Sequence, residues 1–195
     1  NASFSMTGGS IIDNTAYANG SGGVFFNGAA LTLGGTAQIT GNKITGSDPV
    51  TETANNLYLY ESKTVALGNG ANAPKSGMSV GVTTQTAPTA AAPVKITTNG
   101  TADDVKWFTP DNNDYMVSFN TDHLELTEVV AYNYTQEIKY ASLADVISEA
   151  VSGDEIELWA DENAENVVLP DGVTLYAKSG YTGTVTTNAA GKAVA

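Results

Sequence analysis

The sequence contains a segment that nearly repeats itself, with a period of about thirty residues. Residues 4–14 return as residues 31–42 with one residue added, and a looser third copy has Val65 and Leu67 in the places of Leu31 and Leu33. Each copy is two short alternating pieces joined by glycines, a pattern that predicts strand, turn and strand. A single copy cannot bury its own apolar side. We therefore expect the copies to stack, with Phe4, Leu31 and their later counterparts sharing one interior.

Apolar residues spaced two apart mark the predicted strands of this first region. The pairs are Phe4/Met6, Val24/Phe26, Leu31/Leu33, Leu57/Leu59, Val65/Leu67 and Val80/Val82. A period of two places each pair on one face, so Phe25, Tyr58 and Tyr60 are expected to face outward. Glycines at 8–9, 22–23, 34–35 and 41 predict turns with positive φ. Asn14, Asn27, Asn42 and Asn56 fall near strand ends, where we expect their amides to bond the backbone of adjacent rungs.

The rest of the chain completes a mainly β organisation in two parts, residues 3–128 and residues 129–195. In the first part we predict strands at 78–83 and 94–98 around a Thr/Ala/Pro-rich surface loop, then a hairpin of strands 115–120 and 123–127. In the second part an apolar stripe predicts one helix, with Ser142 as N-cap and Gly153 at its end. Further strands are predicted at 130–132, 137–140, 155–160, 167–169, 173–177 and 183–187.

Charge and composition exclude several classes of function. The net charge is −13, and residues 101–195 carry all of it, because the first hundred residues hold four acids and four lysines. Arginine is absent, which together with the charge argues against nucleic acid as a partner. Without cysteine the chain can form neither a disulfide nor a thiolate metal site. No apolar run is long enough to cross a bilayer, so we expect no membrane insertion of this segment.

Several motifs resemble those of a known family. The strings Met6–Ile11, Gly22–Gly28 and Ala37–Asn42 resemble the GGVYVNGGTFTMNGGTISGN-type repeats of adhesin-like surface proteins of gut bacteria. Those proteins belong to the pectin-lyase-like superfamily. The resemblance implies a right-handed parallel β-helix with three short strands per coil, at the bacterial cell surface or outside the cell. Residues 139–147 and 153–158 look like the segment that introduces a β-helix in such proteins. We interpret the chain as a piece of a longer protein.

The second part, residues 129–195, admits two interpretations. Its few strands are compatible with the start or cap of a further β-helix, and equally with a small independent α+β module.

Candidate chemical groups are sparse. His123 is the single histidine, and a proton shuttle needs an oriented partner, so we predict no catalytic residue. Asp103, Asp104, Asp111 and Asp114 could offer oxygens to a cation, but they lack an EF-hand spacing and are interpreted as a solvated turn. The acidic runs 154–155 and 161–165 are interpreted as charged surface. We predict no cofactor and no metal.

Exposed aromatic rings are the remaining candidates for binding. Tyr58, Tyr60 and Trp107 could stack on sugars, although outward rings on a sheet also pair with their rung neighbours. The resulting hypothesis is a non-enzymatic structural or adhesive module, with host or bacterial glycans or surface proteins as partners. The alternative is a carbohydrate-binding or carbohydrate-degrading β-helix, such as a polysaccharide lyase or glycoside hydrolase.

Overall fold

The structure is a computed structural model that describes residues 2–17, 21–46 and 51–187, together with the backbone of 192–194. The protein is mainly β, with several separate sheets. The chain divides into two compact units, Asn1–Thr127 and Glu128–Ala195.

The first unit consists almost entirely of short strands. They are β1 (Ser3–Met6), β2 (Ser10–Ile12), β3 (Thr15–Tyr17), β4 (Val24–Phe26), β5 (Ala30–Leu33), β6 (Gln38–Thr40), β7 (Lys43–Thr45), β8 (Glu52–Ala54), β9 (Leu57–Leu59), β10 (Ala66–Leu67), β11 (Ser79–Thr84), β12 (Val94–Lys95), β13 (Phe108–Pro110), β14 (Tyr115–Asn120) and β15 (His123–Glu128). Short 3₁₀ helices lie at Gly70–Asn72 and Ala102–Trp107.

The near-repeated segments lie side by side as parallel strands. In the sheet ordered β1-β5-β10, Phe4 pairs with Leu31 and Met6 with Leu33, and Leu33 also pairs with Leu67. This is the alignment that the sequence predicts for the three copies. In a second sheet, β6 lies between β2 and β11, and β13 pairs with β11, all in parallel. Parallel strands of the protein curl into a half-barrel.

Alternation along these strands sends one row of side chains into a continuous apolar core. Its fully buried members include Leu31, Leu33, Ile39, Leu57, Leu59, Val65, Val80, Ile96, Leu124 and Leu126. Phe4 departs from the expected shared interior: it is 39% exposed, whereas its partner Leu31 is 1% exposed. The physical reason is position, since β1 is the edge strand of its sheet and pairs with β5 on one side only.

The glycine pairs serve two different purposes. Gly35 has the positive φ that the sequence predicts, +56°. Gly22 and Gly23 do not; a Cβ on Gly22 would collide with the backbone of Lys43, and one on Gly23 with the carbonyl oxygen of Asn56. At positions 22–23 the absence of a side chain therefore permits close approach of neighbouring segments.

Later elements of the first unit differ from prediction mainly at their ends. The predicted strand 78–83 is β11, shifted by one residue, whereas the predicted strand 94–98 is confined to β12 and an isolated parallel bridge between Val65 and Thr97. β14 and β15, joined by Thr121 and Asp122, are neighbours in a sheet with β12, as the predicted hairpin requires.

The second unit combines one helix with a mixed sheet. Its elements are β16 (Ala131–Asn133), β17 (Ile138–Tyr140), α1 (Leu143–Glu149), β18 (Glu155–Leu158), β19 (Asn163–Val167), β20 (Thr174–Ala177), β21 (Thr184–Thr187) and β22 (Lys192–Val194). The main sheet is ordered β17-β16-β18-β20-β22. β16 is antiparallel to both β17 and β18, whereas β20 is parallel to β18 and β22. β19 and β21 form a separate parallel pair.

Two predictions for this unit are wrong in detail. The helix begins as predicted, with the Ser142 hydroxyl accepting from the Asp145 N–H, but it ends at Glu149 rather than at Gly153. Ala150 is extended and Val151 is 59% exposed, so the last two residues of the predicted apolar stripe (Leu143, Val146, Ile147, Ala150 and Val151) are outside the helix. The strand predicted at 167–169 lies earlier in the chain, because β19 spans Asn163–Val167 and shares only Val167 with the prediction. Within the described residues, no helix has the length and apolarity needed to cross a membrane.

Candidate functional site

Three asparagines of the first unit form a hydrogen-bonded ladder. Asn14 donates its backbone N–H and its side-chain amide to the Asn42 side-chain oxygen, at 3.1 and 2.8 Å. Asn42 makes the same two bonds to Asn56 Oδ1, at 2.8 and 3.1 Å, and its amide also reaches the Ile11 carbonyl. These contacts confirm, for Asn42 and Asn56, the bonds to distant backbone groups that the sequence predicts; the Asn14 side chain instead bonds the Asn42 side chain and the nearby Ile12 carbonyl. Asn27 is exposed and lies outside the ladder.

Asp111 ends this ladder. Its carboxylate accepts the Asn56 side-chain amide at 2.6 Å and the Asn56 backbone N–H at 2.8 Å, and it also accepts the Thr83 hydroxyl at 2.7 Å. Asn42 and Asn56 each accept from one neighbour in the ladder and donate to the next, whereas a carboxylate only accepts, so the series of bonds stops at Asp111. The interpretation of Asp111 as part of a solvated turn is therefore wrong. Asp111 is 28 residues beyond Thr83 and 55 beyond Asn56, a separation that local turn patterns do not reveal.

The other acids of that segment are separate from Asp111. Asp104 accepts the backbone N–H and the hydroxyl of Thr101, so it caps the start of the 3₁₀ helix Ala102–Trp107. Asp103 lies in the first turn of the same helix. Among the described residues, no group of three or more histidine or acidic side chains is arranged to hold a metal ion.

His123 has two acidic neighbours. Its Nδ1 lies 2.8 Å from Asp122 Oδ1, and its Nε2 lies 3.7 Å from Glu125 Oε2. The hydrogen bond from His123 lowers the pKa of Asp122 below its usual value. The partner that proton transfer requires is thus present, but within the described residues no hydroxyl is bonded to the imidazole.

Two of the predicted binding residues come together in what we call the Phe25 cluster, made of Phe25, Tyr58 and Tyr60. Phe25 and Tyr58 are register partners whose rings stack, with centres 5.5 Å apart and planes 10° apart. Tyr60 is tilted against Phe25 at 5.7 Å. Phe25 is 55% exposed. The open groove of about 790 Å³ that begins at Glu61 is lined by neither tyrosine.

Trp107 is elsewhere. It packs partly buried against the apolar core, and its ring lies 4.9 Å from the Lys106 ammonium. Within the described part of the chain, no ring contact joins Trp107 to the Phe25 cluster. The three predicted binding residues therefore do not form one site.

The second unit carries a larger aromatic group that the sequence analysis missed, here called the Trp159 cluster: Tyr132, Tyr134, Trp159 and Tyr176. Tyr132 lies 4.6 Å from Tyr134 and 5.4 Å from Trp159 between ring centres, and Tyr134 stacks on Tyr176 at 6.3 Å. The ammonium groups of Lys139 and Lys178 lie 5.5 and 4.6 Å from the Trp159 ring. The sequence signals only part of it: Tyr132 and Tyr134 are two residues apart, a spacing that places both on one face of an extended segment.

Glu157 lies among these rings and holds two of them. Its Oε2 accepts the Tyr134 hydroxyl at 2.9 Å and the Trp159 indole N–H at 2.7 Å. The bond to Glu157, with burial and the negative charge of Glu157, raises the pKa of Tyr134. Burial, followed by the charges of Glu157 and Glu155, raises the pKa of Tyr176. These tyrosines therefore stay neutral at physiological pH and act as hydrogen-bonding, uncharged rings.

Asp154 is buried rather than part of a charged surface, so that prediction is wrong. It is 1% exposed and accepts hydrogen bonds from the Asn133 amide at 2.8 Å, the Gln136 amide at 2.6 Å and the Val151 N–H at 2.9 Å. Burial opposes its ionisation, but the Val151 N–H and the two amides outweigh burial and hold the pKa of Asp154 below 3.8. Because it is enclosed and fully bonded, Asp154 has a structural role.

Comparison with known proteins returns no match, whether against protein-family models, curated proteins or solved structures.

Proposed function

We propose that residues 3–128 form a right-handed parallel β-helix that serves as a non-enzymatic structural or adhesive module of a large bacterial surface or secreted protein. The observation that carries the proposal is the parallel alignment of the near-repeated segments, with Phe4 beside Leu31 and Leu33 between Met6 and Leu67. A chain that returns to the same sheets in the same order is the arrangement that a coiled β-solenoid needs.

The polar contacts support the same proposal. Asn14 and Asn42 are 28 residues apart, as are Ser10 and Gln38, whose side chains also bond each other at 2.9 Å. From Asn14 to Asn42, one 28-residue step of the chain therefore adds one layer of apolar side chains and one amide of the ladder. Asn56 extends the ladder only 14 residues further along the chain. A module built in this way resists deformation along its whole length, because each layer is bonded to the next.

The chemistry of the described side chains supports a function without catalysis. His123 contacts two carboxylates, Asp111 is used by the ladder, and Asp104 caps a 3₁₀ helix. Glycoside hydrolysis needs two carboxyl groups facing one bond at a set separation. Each of these acids already has a structural partner, so we propose an extracellular spacer whose partners are glycans or proteins of the host or bacterial surface.

The test is mechanical. The full chain, held by handles at its two ends, is stretched in optical tweezers. A solenoid spacer should release the first unit in one cooperative event that adds about 430 Å of contour length. Gradual lengthening at low force, or several small independent steps from the first unit, would contradict the proposal.

The alternative, a carbohydrate-binding or carbohydrate-degrading β-helix, is favoured by the exposure of Phe25 and its stack with Tyr58. A glycan array probed with the full chain tests it, with Tyr58→Ala and Tyr60→Ala as comparison variants. Strong binding that either variant abolishes would replace the structural proposal. Release of sugar from a bound polysaccharide would establish the degrading form.

A further inference from the structure

We propose that the Trp159 cluster is a binding surface for a neutral oligosaccharide. This inference concerns the second unit alone and does not rest on the proposed role of residues 3–128. It starts from the outward face of the main sheet, where register partners form one row: Lys139, Tyr132, Glu157 and Tyr176. These four strands are adjacent, so the row is about 14 Å long. That length suits a short oligosaccharide better than a single sugar.

The rings along this row can stack against sugar faces. Tyr134 is 45% exposed, and Tyr176 lies almost parallel to it, with 16° between the planes. Tyr134, the more exposed of the two rings, can present an apolar face to the C–H groups of a pyranose. Aromatic side chains supply such contact area at a small entropic cost because each has only two rotatable side-chain bonds.

Hydrogen-bonding groups surround the rings. Both bonds that hold Tyr134 and Trp159 go to Oε2 of Glu157, and the carboxylate has a second acceptor oxygen, Oε1. That oxygen can accept from a sugar hydroxyl. The Tyr134 hydroxyl donates its proton to Glu157 and can accept from a sugar hydroxyl, whereas the hydroxyls of Tyr132 and Tyr176 can donate. The surface therefore combines apolar faces with both donors and acceptors, which is what a ring bearing many hydroxyls requires.

The charges favour a neutral ligand over a charged one. Residues 128–195 hold eleven acidic side chains and three lysines, so an anionic polymer would be repelled by the unit as a whole. A cationic ligand would meet Lys139 and Lys178, which already occupy cation–π positions on Trp159. A neutral glycan is repelled neither by the acidic side chains nor by the two lysines.

The tryptophans provide a direct readout. The chain has two, Trp107 and Trp159, so in the full chain carrying Trp107→Phe all tryptophan fluorescence comes from the proposed surface. This protein is titrated with neutral hexasaccharides of glucose, xylose, mannose, galactose and N-acetylglucosamine. The expected result is a saturable change of fluorescence with at least one of them. Tyr134→Ala should weaken that binding about tenfold, because one stacking ring is lost.

Three comparison variants make the result specific. Tyr134→Phe keeps the ring and should bind better than Tyr134→Ala; because it also preserves the packing, it remains informative if the alanine variant unfolds. Glu157→Gln should weaken binding by removing the acceptor charge. Tyr17→Ala, at an exposed tyrosine of the first unit, should leave binding unchanged. Circular dichroism verifies the fold of each variant.

Three results would overturn the proposal. One is the absence of any saturable change up to about 5 mM of every neutral hexasaccharide, a concentration that populates even a weak sugar site. Another is a response confined to charged probes, namely hexagalacturonate or choline. Binding of a neutral probe that is equally strong in Tyr134→Ala, Tyr134→Phe and Glu157→Gln would also place the site elsewhere and contradict it.

Discussion

The two units bury polar groups in different ways. The first unit uses a series of neutral amides bonded one to the next, Asn14, Asn42 and Asn56, and closes the series with Asp111. The second unit encloses one carboxylate, Asp154, bonded by Asn133, Gln136 and the Val151 N–H. The comparison shows that similar strands can be stabilised either by a distributed series of equivalent contacts or by a single polar centre. The two designs should fail differently when they are perturbed.

The largest effect should come from the apolar column of the first unit. Leu33 is fully buried between Met6 and Leu67, so Leu33→Ala should lower the free energy of unfolding of that unit by about 3 kcal/mol. Hydrogen exchange measured by mass spectrometry should accelerate in peptides of residues 30–84 and stay unchanged in residues 131–177. Ile12→Ala, at a side chain that is 46% exposed, is the control and should cost under about 1 kcal/mol. Equal acceleration in both units would contradict a separate core.

The second-largest effect should come from Asp154, the buried polar centre of the second unit. Asp154→Ala leaves two side-chain amides and the Val151 N–H without their acceptor, which should cost about 2.5 kcal/mol. Faster exchange is expected in residues 131–177 and not in residues 30–84, the reverse of the previous pattern. Glu165→Ala, at an exposed acid, should change little. If Glu165→Ala and Asp154→Ala were equivalent, the burial of Asp154 would carry no stability.

Removing one asparagine side chain of the ladder should lower the free energy of unfolding slightly less than removing Asp154. Asn42→Ala removes the bonds to Asn56, to Asn14 and to the Ile11 carbonyl, with an expected loss of about 2 kcal/mol in the first unit. The matched control is Asn27→Ala, because Asn27 is exposed and outside the ladder. Chemical denaturation followed by tryptophan fluorescence compares the two variants. A loss for Asn27→Ala as large as that for Asn42→Ala would show that the ladder contributes no special stability.

The smallest expected effect is a loss of stability of the second unit in acid. The pKa of Asp154 in the folded protein lies below its ordinary value of 3.8, so ionised Asp154 stabilises the second unit above that pH. This contribution should disappear as the pH falls through the folded pKa. Thermal unfolding of the wild type and of Asp154→Asn, measured between pH 7 and about 3, should converge on acidification. A difference in thermal stability between the wild type and Asp154→Asn that stays the same at every pH would contradict the lowered pKa of Asp154.

The sequence is sufficient to predict which residues of the first unit are neighbours, because near-identical segments need the same partners. The repeat alone aligns Leu31 and Leu33 with Phe4 and Met6, and the strands pair in that register. The exposure of Phe4 does not follow from the alignment, since an edge strand has the same pattern as a central one. Asp111 is misinterpreted from sequence for a related reason: its partners are distant along the chain, and its nearest neighbours resemble a turn.

The second unit is less predictable because its sequence does not repeat. Asn133 and Asp154 are 21 residues apart with no internal copy to align them, so their contact cannot be inferred from the sequence. The Trp159 cluster escapes prediction similarly: its rings come from β16, β18 and β20 and their flanks, and the order of those strands is not encoded in any local pattern. Helix α1 is predictable at its start, where the Ser142 cap is a local signal, and not at its end.

The parallel register of the near-repeated segments is the central claim, and disulfide trapping tests it most directly. The chain has no native cysteine, so each introduced pair is unambiguous. Ser5 and Thr32 are register partners, whereas Ser5 and Ala30 are two positions out of register. Ser5→Cys with Thr32→Cys should form a disulfide under mild oxidation, because neighbouring strands lie about 4.8 Å apart. Ser5→Cys with Ala30→Cys should remain reduced. Equal trapping of both pairs, or preferential trapping of the second, would contradict the account.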